Sequence, residues 1–370
     1  MSDNIARVEA VDLRVPLPHP LQLGAMRIAE RGYVAVTVTT DDGLTGQAIA
    51  LSRDTPVAAA INGVLARAVV GTRADRIGEA WERMFDATIA AGRVGTVMRG
   101  LSLVDIALWD VKGKRAGLPV WSLLGGARAS VGVAIVGGYP RADLRPEEVG
   151  ERVAAYSRDG YDVVKIARAP DNAVTRRILQ TARDGLRSGA RLVVDAAWVH
   201  RTPEAALREV AEWGDVPIAW LEDPMPPENV EACARLARRS PVAIGYGDEI
   251  TDEHLMTRLM QAEALGVVRV DATTVGGISG AVRVASAAAQ AGLPVSCHAY
   301  PEIHVHLGLG LRGTVAIETF DPEGNPFEPL STLLVGGPPI ARGQATSPEG
   351  PGLGFVLDEE RIARHRVDTL

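Results

Sequence analysis

The sequence predicts an α/β protein in which an eight-stranded parallel barrel follows an α+β domain. Three observations predict it. From about residue 130, short apolar and β-branched runs alternate with helical stretches; the ends of those runs carry ionisable residues at near-regular spacing; and the first third of the chain alternates instead with period 2. A chain of 370 residues with 46% hydrophobic content can bury a large core, as two domains or as one barrel with additions.

The opening segment "IARVEAVDLRV" and the later "YVAVTVTTDDGLTGQAIA" read as antiparallel strands, with Asp42-Gly43 as the turn inside the second. "MRGLSLVDIALWDVKGKRAG" has apolar positions at helical spacing and ends at Gly117, a residue that stops helices. These elements form a first domain, residues 1–126. The next eight runs are "VGVAIVGG", "DVVKIA", "RLVVDA", "IAWLED", "VAIGYGDE", "VVRVD", "PVSCH" and "AIETF". Runs apolar on both faces and separated by crossover helices are what a parallel sheet requires, so residues 127–325 are expected to close into a (β/α) barrel. The remainder, 326–370, is rich in Gly and Pro, has no βα pattern and is expected to run back to the first domain.

A barrel of this kind gathers its catalytic side chains at the C-terminal ends of its strands. Those ends hold Lys165, Asp195, Glu222, Asp248, Asp271, His298 and Glu318, at intervals of 30, 27, 26, 23, 27 and 20 residues. Asp195, Glu222 and Asp248 end three consecutive strands, and three converging carboxylates repel unless a hard divalent cation joins them. Mg²⁺ is the usual choice where positions stay open for water or substrate. On neighbouring strands Asp271 and His298 form a carboxylate–imidazole pair, suited to general acid/base work near neutral pH. A divalent ion and such a pair around one cavity suit removal of a proton α to a carboxylate. Arg269, two residues before Asp271 and on the same face, is expected to support a ligand carboxylate. His200 is a candidate for a second acid/base. His304 and His306 are read as packing residues.

Composition removes several classes. A net charge of -7, no basic run, four phenylalanines and six tyrosines argue against a nucleic-acid or anionic-membrane partner. Cys233 and Cys297 are isolated, the N-terminus lacks signal-peptide regions, and no apolar run is long enough to span a membrane. The expectation is a soluble cytoplasmic enzyme acting on a small carboxylate.

The chain resembles the enolase superfamily, mandelate racemase subgroup. "GLSLVDIALWDVKGKRAGLPVWSLLGG" is similar to the helix and linker joining that family's capping domain to its barrel. "VVDA", "WLEDP" and "GDE" match its three metal-ligand strands, "VDATTVGGISGA" and "CHAYPEIHVHLGL" its Asp and His strands, and "AIETF" its last strand. The resemblance implies a modified (β/α)7β barrel, an N-terminal capping domain completed by the C-terminal tail, and a homo-oligomer. It implies Asp195, Glu222 and Asp248 as Mg²⁺ ligands, Asp271 with His298 as the acid/base dyad, and Glu318 as a group near the substrate carboxylate. Asp248 stands where glutamate is common in the subgroup and Glu249 follows it, but the preceding glycine aligns with Asp248, so Glu249 is expected, like Arg269, to support the ligands from behind.

Where the subgroup's second barrel strand has two lysines, this chain has Lys165 and Ala167. Lys165, one of three lysines in the chain, then serves as a cation on the metal or carboxylate side, and the usual second base is missing. Arg168 points to the other face of the strand and is a poor substitute. Racemisation with two opposed bases needs both. Superfamily cycloisomerases are expected to carry lysine at the ends of the second and sixth strands, here Ala167 and Asp271. Dehydration needs one base and an acid, so the resemblance points to an acid-sugar dehydratase. The rivals are an epimerase that recruits another residue such as His200, and a metal- and carboxylate-binding protein that has lost catalysis. Specificity is expected from the loop "LPHPLQLGAMRIAERG", with His19, Met26 and Arg27 as contacts, and its apolar Leu21, Leu23 and Met26 suggest a less hydroxylated substrate.

Overall fold

The structure, a computed structural model of the chain, describes residues 3–23, 26–126, 128–139, 144–321 and 328–367, with the side chains at 21–23 and 26–27 outside that description. Strands β1 (Ile5–Leu23), β2 (Met26–Thr40) and β3 (Thr45–Leu51) pair antiparallel in that order. Their inward positions, among them Leu13, Val34, Val36, Val38 and Ile49, are buried, as period-2 alternation requires. The 21-residue helix Thr96–Ala116 packs across β3 and β2. It ends at Gly117, whose φ of 65° lets the chain reverse so that the Leu118 N–H bonds to the carbonyl of Gly113 at 3.0 Å.

The barrel is a closed ring of eight parallel strands: β4 (Ser130–Gly138), β5 (Val163–Ala167), β6 (Arg191–Asp195), β7 (Ile218–Glu222), β8 (Ile244–Tyr246), β9 (Val267–Val270), β10 (Val295–Cys297) and β11 (Thr314–Phe320). The pairing of β11 with β4, from Ile317↔Val133 to Phe320↔Val136, closes it. Seven helices, from Pro146–Arg158 to Pro301–Gly310, fill the seven connections, so the fold is (β/α)7β. The long helix Thr96–Ala116 lies against helix Gly277–Gln290 on the outside. Strand residues such as Val164, Ile166, Leu192 and Val194 are fully buried, because one face meets the barrel interior and the other the helices.

The tail makes two connections. After β12 (Leu334–Gly336) and β13 (Ile340–Ala341), strand β14 (Gln344–Thr346) adds antiparallel to barrel strand β4; β15 (Phe355–Leu357) pairs with β12, and β16 (Arg366–Val367) pairs with β1 at the edge of the N-terminal sheet. One hydrophobic core runs through both sheets. Direct hydrogen bonds also join the domains. Trp81 Nε1 donates to the Gly276 carbonyl at 2.9 Å, the Gly276 N–H to Ser102 Oγ at 2.9 Å, and the Leu51 N–H to the Tyr300 hydroxyl at 3.0 Å. Among the described residues no helix is long and apolar enough to cross a membrane.

Candidate active site

The C-terminal ends of the barrel strands hold one compact charged cluster. Asp195 ends β6, Glu222 ends β7, and Asp248 follows β8; one oxygen from each lies within 4.8 Å of the others. Asp248 reaches this position because Gly247 precedes it with φ 145°, and a Cβ there would lie 1.9 Å from the carbonyl oxygen of Arg269. Only glycine permits that approach. Glu249 turns away, paired with Arg53 and Arg99 of the N-terminal domain. Of the two adjacent acids, Asp248 therefore belongs to the cluster.

Two cations are buried with these acids. Lys165 Nζ lies 3.2 Å from Asp195 Oδ2 and 3.3 Å from both Asp248 Oδ2 and Glu318 Oε2, and it also pairs with Glu222. Burial disfavours its ammonium, but Glu222, Glu318, Asp195 and Asp248 outweigh that and hold its pKa well above the ordinary lysine value. Arg269, fully buried, donates from Nε to Asp248 Oδ1 at 2.8 Å and lies 3.0 Å from Glu222 Oε2. Its other nitrogens reach Glu318 Oε2 at 2.6 Å and Ser296 Oγ at 2.7 Å. Trp220, two residues before Glu222 and on the same face, donates to Glu222 Oε2 at 2.8 Å.

Four carboxylates against Lys165 and Arg269 leave two negative charges uncompensated, the charge of one divalent cation. Burial above all, with the Asp248 charge adding to it against Arg269, pushes Glu222 up to about 8, a sign of carboxylates short of positive charge. The all-oxygen donor set matches what Mg²⁺ prefers. The residues present fit such an ion.

Beside this cluster His298, directly after β10, is bonded through Nδ1 to Asp271 Oδ2 at 2.8 Å, with Nε2 3.6 Å from Asp248 Oδ2. Asp271 Oδ1 accepts from the Thr273 N–H and hydroxyl, both at 2.7 Å, so both carboxylate oxygens are held and the imidazole is aimed. Burial works against protonation of His298, but Asp248 and the Asp271 hydrogen bond outweigh it and raise the pKa to about 9.

Models of two domains match this chain: the mandelate racemase / muconate lactonizing enzyme N-terminal domain over residues 5–125 and the enolase C-terminal domain-like family over 148–361. The chain belongs to the enolase superfamily, in its mandelate racemase and muconate lactonizing enzyme group. It is 26% identical to D-galactarolactone cycloisomerase of Agrobacterium fabrum over 366 residues, 95% of this chain and 96% of that one. It is 26% identical to arabinonate dehydratase of Saccharolobus solfataricus over 356 residues, 94% and 92% of the two chains. Its fold superposes with a TM-score of 0.88, at 25% identity and covering 98% and 100% of the chains, on a racemase from Streptomyces coelicolor A3(2) with bound magnesium.

The other candidate positions of this enolase-superfamily chain divide clearly. Ala167, buried at the end of β5, pairs in register with Asp195. Arg168 points outward and binds Glu209 through two hydrogen bonds of 2.7 and 2.9 Å. His200 joins that outer pair, its Nε2 3.9 Å from Glu209 Oε2, and burial lowers its pKa. The structure thus sets His200 apart from the acid cluster. His304 receives the Ala272 N–H at 2.9 Å and bonds the Ala299 carbonyl at 2.7 Å; His306 receives the Trp121 N–H at 3.1 Å and bonds the Leu353 carbonyl at 3.1 Å. Both are committed to main chain. His19 is exposed on the β1–β2 hairpin. The side chains of Arg27, Met26, Leu21 and Leu23 lie outside the described residues.

Three residues near the cluster carry no signal in the spacing of the strand ends. Asp223, adjacent to Glu222, is buried, and burial together with Asp248 and Glu222 pushes its pKa well above the carboxylate range. Arg31 of β2 is buried next to Glu328, which also accepts the Tyr33 hydroxyl. Tyr139 follows β4. Only the pairing of Asp223 with a metal-ligand motif was open to inspection in the sequence.

The Gly247 contact makes a test of the third carboxylate. Gly247→Ala is expected to displace Asp248 and weaken divalent-metal affinity about 10- to 100-fold, as read by calorimetric titration; an unchanged affinity would show that Asp248 does not depend on this approach.

Proposed function

We propose that the protein is a Mg²⁺-dependent dehydratase of aldonic or aldaric acids, producing a 2-keto-3-deoxy acid and water. The observation that carries this reading is the His298–Asp271 acid/base pair beside a three-carboxylate cluster that could hold a metal, the one such pair there among the described residues, with alanine at 167 where the family resemblance puts a second base. One base suffices to take the α-proton in a dehydration, whereas two-base racemisation needs a donor on each face. The acid-sugar names of the cycloisomerase and dehydratase relatives support the substrate class.

Asp195, Glu222 and Asp248 would hold Mg²⁺, which supplies positive charge toward a substrate carboxylate and the enediolate that forms from it. His298, held in one orientation by Asp271, takes the proton from the carbon next to the carboxylate. Lys165 shares its carboxylate partners with the metal site, so its ammonium is available to a substrate carboxylate once those partners are otherwise engaged. Arg269 keeps Glu222, Asp248 and Glu318 at fixed spacing, which limits reorganisation during the reaction.

Proton NMR in D₂O with the purified protein, Mg²⁺ and a panel of aldonic and aldaric acids tests the reading. The expected result is loss of the Cα proton signal together with a 2-keto-3-deoxy product. Exchange at Cα with inversion and no product would replace the dehydratase by an epimerase, and tight carboxylate binding without exchange would replace it by a binding protein.

A further inference from the structure

Strand β4 ends in Val136-Gly137-Gly138, and its register with β5 slips there: Val136 pairs with Lys165, but Gly138 pairs with Ile166. The extra residue is a β-bulge, a feature that re-aims the side chains around it. Both glycines face outward. A Cβ on Gly137 would lie 2.4 Å from the Tyr156 ring, and one on Gly138 would lie 2.4 Å from Ile166 and 3.0 Å from Val153; Tyr156 and Val153 belong to helix Pro146–Arg158, which surrounds the barrel. After these two positions turned to the helix, Tyr139 is the next residue toward the mouth. It is half-buried and packs, with Ile28, against Leu17 of the β1–β2 hairpin. Its hydroxyl lies in the electrostatic reach of Lys165, Arg31, Asp195 and Glu318. Gly138 pairs with Ile166, so Tyr139 and Ala167 are the next residues along the two adjacent strands.

We infer that Tyr139 delivers the proton to the departing hydroxyl of the substrate, from the side of the pocket where Ala167 leaves room. The inference rests on the dehydratase reading. A phenol is protonated at neutral pH and can donate, which a methyl group cannot. Tyr300, two residues past His298, accepts the Leu51 N–H, so its oxygen is held at the domain interface.

The step balances as follows. His298 takes the Cα proton and the electron pair moves into the enediolate. The C3–O bond then breaks, its electron pair leaves with the oxygen, and the Tyr139 hydroxyl proton joins it to form water. The resulting enol becomes the ketone as His298 returns its proton to C3 and the enol hydroxyl gives its proton to the tyrosinate. Substrate loses one water, and both side chains end as they began.

The experiment compares wild type, Tyr139→Phe and His298→Asn in D₂O with Mg²⁺ and the acid panel, reading Cα deuteration and product separately. Phenylalanine keeps the ring that packs on Leu17, and equal thermal unfolding checks this. The expected result is that Tyr139→Phe still deuterates Cα while product formation falls about 100-fold, the lower range for a lost acid, and that His298→Asn loses both signals. Product formation at the wild-type rate in Tyr139→Phe, or equal loss of exchange and product, would overturn the inference and leave the dehydratase reading standing. A wild type that dehydrates none of the acids overturns both.

Discussion

Replacing His298 with asparagine is expected to lower turnover about 100- to 10,000-fold, the range for loss of a positioned general base, with fold and metal affinity kept. The side chain turns one nitrogen toward the acid cluster while the other is fixed, Nε2 toward Asp248 and Nδ1 on Asp271 at 2.8 Å. Asparagine is close in size and can still donate to Asp271, so the carboxylate is not left unpaired in the interior. Steady-state rates, circular dichroism and a metal titration on the same preparation separate the effects. Most of the activity surviving with metal bound would remove His298 from the chemistry, and the search for the base would move to Lys165.

The second large effect concerns stability. Arg269→Met is expected to cost about 3–5 kcal/mol, the range for breaking a buried ion pair by removing one partner. Methionine fills much of the volume but leaves Glu222, Asp248 and Glu318 without the guanidinium that now bonds them at 2.6 to 3.0 Å. The deficit should shrink in saturating Mg²⁺, because a ligand that binds only the folded state adds to its stability and supplies the missing charge. Urea unfolding with and without the metal measures both numbers. A loss below about 1 kcal/mol, the scale of one ordinary hydrogen bond, would mean that the acids are protonated or hydrated rather than held by Arg269.

The barrel and most of its charged mouth were legible because a parallel strand buried on both faces writes a continuous apolar run, and its end is where that run meets a polar residue. Asp195 and Glu222 each sit at such a boundary, as the last residues of β6 and β7, whereas Lys165 and Glu318, expected at strand ends, lie inside β5 and β11; the alternation that sends residue 166 outward also sends 165 and 167 inward. The tail was less legible. It was expected to run to the N-terminal domain, and β16 does join β1, but β14 adds to barrel strand β4; pairings between segments so far apart in the chain leave no local pattern. Tyr139 was hidden for a different reason: its direction depends on a bulge, and "IVGGYP" reads the same whether or not the register slips. Arg31 and Glu328 come together from opposite ends of the chain. Lys165, expected as a cation on the metal or carboxylate side, stands among Asp195, Glu222, Asp248 and Glu318.

Glu249 gives the site a property beyond chemistry. It follows the cluster acid Asp248 directly in the chain, and it is gripped by Arg53 and Arg99 from the other domain. A one-residue step thus joins a carboxylate that faces the metal-type site to one that anchors the domain interface. If a shift of the N-terminal domain that moves those arginines changes the affinity at Asp248, reciprocity requires that filling the site resist that shift by the same free energy. Cation affinity measured in an Arg99→Ala variant is then a reading of how firmly the two domains are seated.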